Sequence, residues 1–467
     1  MNPRRLFIAS CISLVASAFS FVIRQDVLPA WGQSFNLDAL KLGTIAGNAF
    51  LGMATSMAIG SFIVDALGMK RMLGLAFLCH LVGTGLTVGT PYLYGGNSNT
   101  AFSILWFATF LVGCANGFVE IGINPLAATL YPKEKTHMLN ILHAWWPGGL
   151  CLGGLIALAI TRALGLDSGN VEPGTAMLGW QIKIGLIFIP TIVYGVMFFS
   201  AEFPVTERVA SGISTADMIS EAFRPMFLLW AFCMLLTAST ELAPQGMQSL
   251  VLEKTANMNG TIILIYTSTM MFILRHFAGP IAHKLSPVGM LTGSAILSAV
   301  GLFLLSFAYD RVSAIGAATI FGLGITYFWP TMLGVTAERF PRGGAFLLGI
   351  MGCVGNLAIG VVSPWMGGIN DSITLKNIPA ELQNRVVVER TVKDDLVKQL
   401  PAAEQKIVAD AQSEGAKWSF RYVSALPLAL VFIFGAIALS DRARGGYRPE
   451  LLTPRSDIEE ASLASDY

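Results

Sequence analysis

The sequence predicts an all-α membrane protein of twelve transmembrane helices arranged as two pseudo-symmetric six-helix bundles. Three observations predict it. Of 467 residues, 54% are hydrophobic and 13% charged, where a soluble domain carries about 25% charged residues. The apolar residues come in blocks of about twenty or more, the length a helix needs to cross a bilayer. A hydrophilic stretch near the middle of the chain leaves six such blocks on either side.

The blocks fall near residues 7–28, 43–63, 72–90, 103–131, 139–161, 181–199, 226–244, 259–280, 287–308, 313–337, 344–366 and 420–440. The first follows a basic start and contains Ala16-Ser-Ala18, the outline of a signal peptide. Its apolar run continues through Val22, as a spanning helix requires.

Basic residues orient the blocks. One set of ends carries Arg4, Arg5, Lys70, Arg71, Lys133, Lys135, Arg208, Arg224, Lys284, Arg339 and Arg342; the opposite ends carry Lys41, Arg162, Lys183, Lys254 and Arg311. The richer side faces the cytoplasm, so both termini are expected there, in a multi-pass protein of the cell (inner) membrane. The expected organisation is an N-terminal half (1–199), a cytoplasmic linker (200–224), a C-terminal half (225–441) and a cytoplasmic tail (442–467). The tail's acidic, serine-rich end is expected to be disordered. An outer-face insert, 371–417, interrupts the second half. Its mix of charged and apolar residues over 381–400 predicts one or two surface helices forming a solvated cap.

The halves look related. After the second block comes Ser61-x-x-x-Asp65-x-x-Gly68; after the eighth, Gly279-x-x-x-His283-x-x-Ser286. Asn124-Pro125 in the fourth block corresponds to Trp329-Pro330 in the tenth. Parallel six-span repeats place a solute site near the bilayer midplane, between the halves.

Several function classes drop out. A net charge of +1 offers no surface for nucleic acid. Cys11, Cys79, Cys114, Cys151, Cys233 and Cys353 all lie in apolar runs without metal-ligand spacing and read as packing residues. Neither a Walker-type phosphate loop, nor an HExxH, nor a Gly-x-Ser-x-Gly elbow occurs. The chain is therefore expected to be no enzyme, to need no cofactor or metal, and to draw energy from a gradient.

The polar groups inside the apolar blocks carry the functional reading. Gly117 to Pro132 places Glu120 and Asn124 one helical turn apart. A charged side chain at that depth costs roughly 2.5–3.5 kcal/mol on insertion scales and usually has a task. Glu120 is the strongest candidate to exchange a coupling proton; the alternative is a carboxyl neutralised by Arg24 or another helix. Arg24 and Asp26 stand two apart near the end of the first block, on different sides of a helix. Arg24 either faces a ligand or snorkels to the interface. Glu241 and Gln245 suit a hydroxyl-rich ligand or a wetted loop. Asn140, His143, Trp146 and Trp329 offer amide, imidazole and aromatic surfaces of the kind that line small-ligand sites. Arg275 and Lys284 flank the eighth block's cytoplasmic end, where anchoring and gate ion pairs are expected.

At this point the residues resemble a family. Asp65-x-x-Gly68-x-Lys70-Arg71 resembles the loop between the second and third helices of the major facilitator superfamily, with Ser61 where that family has Gly. The resemblance implies a cytoplasmic gate of Asp65, Gly68, Lys70 and Arg71, latched between the halves. Residues 117–132, Leu139 to Trp145, Phe328-Trp329-Pro330-Thr331 and the run from Gly343 resemble the fucose–proton symporter family more narrowly. That likeness implies that Glu120 helps to bind sugar or the coupling proton. His143 stands where that family often has an amide, and Arg24-Gln25-Asp26 departs from its first helix.

The expected function is alternating-access transport of a small polar solute, a monosaccharide foremost, by a monomer in the lipid bilayer, coupled to a proton or sodium ion. Two rivals stand beside it. An exporter or antiporter of drugs or organic anions is favoured by Arg24 and by the glycine-rich run after Pro147; a non-transporting receptor would make the buried charges dispensable.

Overall fold

A computed structural model describes residues 2–168, 171–256, 260–388 and 391–452. The acidic end of the tail and residues 389–390 of the expected insert lie outside the described residues. Helices form where the apolar runs stand. In the first half these are α1 (Pro3–Phe35), α2 (Ala39–Leu67), α3 (Met69–Leu93), α4 (Ser98–Leu130) and α5 (Lys135–Ala163). The sixth span is made of α6 (Pro173–Gly185) and α7 (Phe188–Phe199). Asn2, Asp38 and Asn97 cap α1, α2 and α4 by accepting amide hydrogens of their first turns. Two short helices, α8 (Glu207–Ala210) and α9 (Thr215–Glu221), follow in the linker.

The second half begins with α10 (Pro225–Ala256), then α11 (Gly260–Arg275) and α12 (Ala278–Leu285), which share the eighth span. The ninth is α13 (Pro287–Leu305). The tenth is divided between α14 (Arg311–Ile325) and α15 (Phe328–Arg339), and the eleventh is α16 (Gly344–Asn377). After α17 (Ala380–Val386), a two-residue hairpin of β1 (Val387–Val388) and β2 (Thr391–Val392), and α18 (Asp394–Val397), the last span is α19 (Ala402–Val423) running into α20 (Ala425–Ala443). Among the described residues, eleven of these stretches are long and apolar enough to cross a bilayer. The eighth falls short only because it breaks at His276-Phe277; with α11 and α12 joined, the count is twelve.

The expected insert is partly an extension of the flanking helices. Residues 371–377 are the last turns of α16 and 402–417 the first turns of α19, which leaves 378–401 outside them. Ile378, Leu382, Val386, Leu400 and Val408 give this piece a small apolar core of its own.

The packing is pseudo-symmetric. Within the first half α4 lies on α2 and α3 and α5 on α1; within the second, α14 lies on α11 and α13 and α16 on α10. Between the halves, α2 meets α16 and α5 meets α11. Adding six to each span number turns one of these contacts into the other. The backbone repeats as well: Gly68, between α2 and α3, has φ +85°, and Ser286, between α12 and α13, has φ +64°.

Phe107, Ile189, Val196, Phe232, Phe303 and Phe432 are exposed on the outside of the bundle, as a surface solvated by lipid should be. In lipid the drive to associate comes from close packing and interhelical hydrogen bonds, with small residues at the contacts. Accordingly α1 buries Ser10, Ser13, Ser17 and Ser20.

Candidate functional site

The buried polar groups gather at the boundary between the halves. On α4, Asn124 Nδ2 donates to Glu120 Oε2 at 2.7 Å, as their one-turn spacing allows. The same amide's Oδ1 lies 2.9 Å from His143 Nε2 on α5, which makes that nitrogen the donor. Glu120 Oε2 is itself 3.8 Å from His143 Nε2. All three side chains are buried.

Across the boundary stands Arg275, the last residue of α11, with 2% exposure. Its Nη1 donates to the main-chain oxygen of His143 at 2.8 Å. Its Nη2 lies 3.3 Å from Glu241 Oε1 on α10. Its Nε donates to the main-chain oxygen of Thr326 at 2.7 Å, where α14 has just ended. In return, Tyr327 donates to the main-chain oxygen of Leu274 at 2.8 Å, in the last turn of α11. The two broken spans are thus cross-linked at their breaks, with Arg275 satisfying the Thr326 carbonyl, which is how non-helical backbone is tolerated at membrane depth. Glu120, Asn124 and the His143 ring form one buried group on the first half, and Arg275 with Glu241 forms another on the second; the His143 main-chain oxygen is where the two meet.

Toward the face that carries the linker, this cluster is sealed. Asn140 Nδ2 donates to Thr331 Oγ1 of α15 at 3.2 Å and Thr136 N–H to Glu338 Oε1 at 2.9 Å. Lys135 Nζ donates to Ala337 O at 3.1 Å and pairs with Glu207 Oε2 of the linker at 2.6 Å. Gly334 permits this approach of α5 and α15: a Cβ there would stand 2.7 Å from Thr136 Cα. Tyr447 of the tail donates to Glu338 Oε2 at 2.6 Å. Burial, then the Glu338 carboxylate, hold the Tyr447 phenol well above its ordinary pKa, so it remains a donor.

Several expectations change. Arg275 does not flank the end of its span: α12 continues the span to Leu285, which puts Arg275 in its interior with Glu241. Lys284 is exposed at that end. Asp65 is held not by Lys70 or Arg71 but by the linker, through Arg208 Nε and Thr206 Oγ1, each at 2.6 Å. Lys70 Nζ instead donates to Ala201 O at 2.8 Å, and Arg71 reaches back to Leu67 O at 3.5 Å. Gly68 sits at the left-handed hinge between α2 and α3. Arg24 and Asp26 do not meet, as their spacing predicts; Asp26 pairs with Lys183 Nζ at 2.5 Å. Arg24 lies inside the first half, away from Glu120. Gln245 is half-buried, its amide 3.5 Å from Met271 Sδ. Trp146, 5.9 Å from Phe21, and Trp329 are likewise half-buried. The roles of Lys135, Glu207, Arg208 and Glu338 were not foreseen; the only sequence signal was the presence of Lys135 and Arg208 among the basic ends.

A bundle of membrane spans in two related halves, with ionisable groups closed in at their boundary, defines a solute transporter of the membrane. The profile of the Major Facilitator Superfamily matches residues 6–363, and the chain belongs to that family. Its fold is similar to FucP of E. coli, a fucose:proton symporter, solved in the outward conformation (TM-score 0.67, 16% identity, covering 92% of this chain and 98% of FucP). It is also similar to the E. coli proton:xylose symporter XylE bound to 6-bromo-6-deoxy-D-glucose (TM-score 0.69, 11% identity, 93% and 95% covered). By sequence it resembles the gentisate transporter of Corynebacterium glutamicum, 24% identical over 185 residues (38% of this chain and 36% of that one). It also resembles inorganic phosphate transporter 1-6 of Oryza sativa subsp. japonica, 24% identical over 213 residues (42% and 38%). The chain spans less than two fifths of the length of these curated relatives.

Proposed function

We propose that this transporter carries a monosaccharide or similar neutral polyol together with a proton, by rocking of its two halves. The observation that carries the reading is the pair of buried polar groups that meet across the boundary: Glu120, Asn124 and the His143 ring on one half, and Arg275 with Glu241 on the other, touching through the His143 main-chain oxygen. A proton on Glu120 removes one negative charge from a buried cluster whose only guanidinium is shared between the two halves. That change alters what the boundary costs to open, which is the differential interaction a coupled carrier needs. Asn140, Gln245, Trp146 and Trp329 offer the amides and aromatic faces that a sugar would use. The linker face, sealed by Asp65, Lys135, Arg208 and Glu338, is assigned to the cytoplasm because the basic ends gather there. The sugar symporters among the structural neighbours support the reading.

The relatives named for gentisate and phosphate favour an anionic solute instead, with Arg275 as its partner. Arg275 is already matched by Glu241 and two carbonyls, which favours a neutral solute. Uptake of a labelled sugar panel into proteoliposomes, with and without an inward proton gradient, tests the choice. Gradient-driven accumulation of a sugar, lost in Glu120→Gln, is the expected result. Uptake of organic anions with no sugar uptake under any gradient would overturn it.

A further inference from the structure

We propose that the N-terminal bundle holds a small inorganic anion of chloride size against Arg24, apart from the solute path. Arg24 is 5% exposed and faces a cavity of about 20 Å³ between α1, α3, α4 and α6. Roughly 10–15 Å³ suffices for one water-sized occupant, so the space admits a small inorganic anion. Arg24, Ser20 and Trp31 of α1, Thr84 and Thr87 of α3 and Thr109 of α4 supply its polar lining.

Three of the four unsatisfied atoms around this cavity are nitrogens that can only donate. Arg24 Nε and Nη1, Trp31 Nε1 and Thr84 Oγ1 are buried without a hydrogen-bond partner among the described residues. Guanidinium and indole nitrogens only donate. A water can accept from at most two of these three nitrogens, whatever its hydrogens find among the hydroxyls. An anion accepts from all.

Charge balance points the same way. A buried guanidinium without a counter-charge is strongly unfavourable. On the four helices around the cavity the only carboxyl groups are Asp26, taken by Lys183, and Glu120, bonded to Asn124. The rest of the neighbourhood is closed as well: Tyr194, His80 and Asn116 hydrogen-bond in series and end on Ser20. Arg24 thus lies over the Phe21 ring at 5.8 Å but has no carboxylate opposite it among the described residues.

The test is thermal unfolding of the full chain in detergent, in sodium chloride, bromide and gluconate at matched ionic strength and pH. Chloride and bromide are expected to raise Tm by about 2–4 °C over gluconate. Trp31→Phe, which keeps the ring and loses the N–H, should need several-fold more halide for the same rise, and Arg24→Met should show none. A bromide anomalous peak beside Arg24 in crystals grown in bromide is the second expected result. An unfolding temperature that ignores the anion in the wild type would overturn the proposal and leave water as the occupant. So would a halide response that survives Arg24→Met, or, should that variant fail to fold, one unaltered in Trp31→Phe.

Discussion

Arg275 Nη1 lies 2.8 Å from the main-chain oxygen of His143, so the guanidinium of one half is held by the backbone of the other. Its remaining bonds, to Glu241 and Thr326, stay within its own half. Any rocking motion that parts α5 from α11 breaks the first bond and leaves the others, which makes Arg275 a contact that distinguishes two arrangements of the halves.

Arg275→Met strands the Glu241 carboxyl in a buried place and leaves three acceptors without a donor. Removing one partner of such a pair costs about 3–5 kcal/mol. Unfolding measurements on Arg275→Met, Glu241→Gln and the double variant should show the double less damaged than the sum of the singles. Strict additivity would mean that the two side chains do not depend on each other.

Gly334 lets α15 rest on Thr136, and a Cβ there would press on both the side chain and the Cα of Thr136, at 2.5 and 2.7 Å. Gly334→Leu should therefore hold the linker face open in a protein that still folds. Accumulation of solute is expected to fall at least tenfold. A thiol introduced at Asn140 should become reactive to an impermeant reagent from the linker side; wild-type-like protection of that thiol would contradict the assignment.

Ser286 takes a backbone conformation, φ +64° and ψ 159°, that is essentially reserved for glycine. Its side chain recovers part of the cost by accepting the Gly289 amide at 3.2 Å. Ser286→Gly should stabilise the protein by about 0.5–1 kcal/mol. Gly68→Ala, at the matching hinge, should destabilise it by about 1–2 kcal/mol. Thermal unfolding of the two variants reads both signs, and a destabilised Ser286→Gly would show that the Ser286 cap outweighs the strain.

The sequence made some of this legible and hid the rest for physical reasons. Spans are legible because bilayer thickness dictates block length, and Glu120 with Asn124 because one helical turn separates them on an apolar helix. The repeat in the loops was readable to the residue: Gly68 and Ser286 were matched by spacing alone and share the same sign of φ. Arg275 was misplaced because Gly279-Pro280 reads as the end of the span, whereas Pro280 falls in the first turn of α12, where a helix tolerates it, and the span runs on to Leu285. The latch of Asp65 on Arg208 was hidden because the partner comes from a polar linker 143 residues away, where local pattern carries no information. The Lys183 partner of Asp26 was hidden for the same reason, at 157 residues.

Proton coupling through Glu120 is tested most directly by following external pH while sugar is added to weakly buffered proteoliposomes in the absence of an imposed gradient. Symport predicts that each accepted sugar alkalinises the outside, and that Glu120→Gln abolishes the pH change while retaining exchange of internal for external sugar. Sugar entry by the wild type with no pH change would contradict proton coupling.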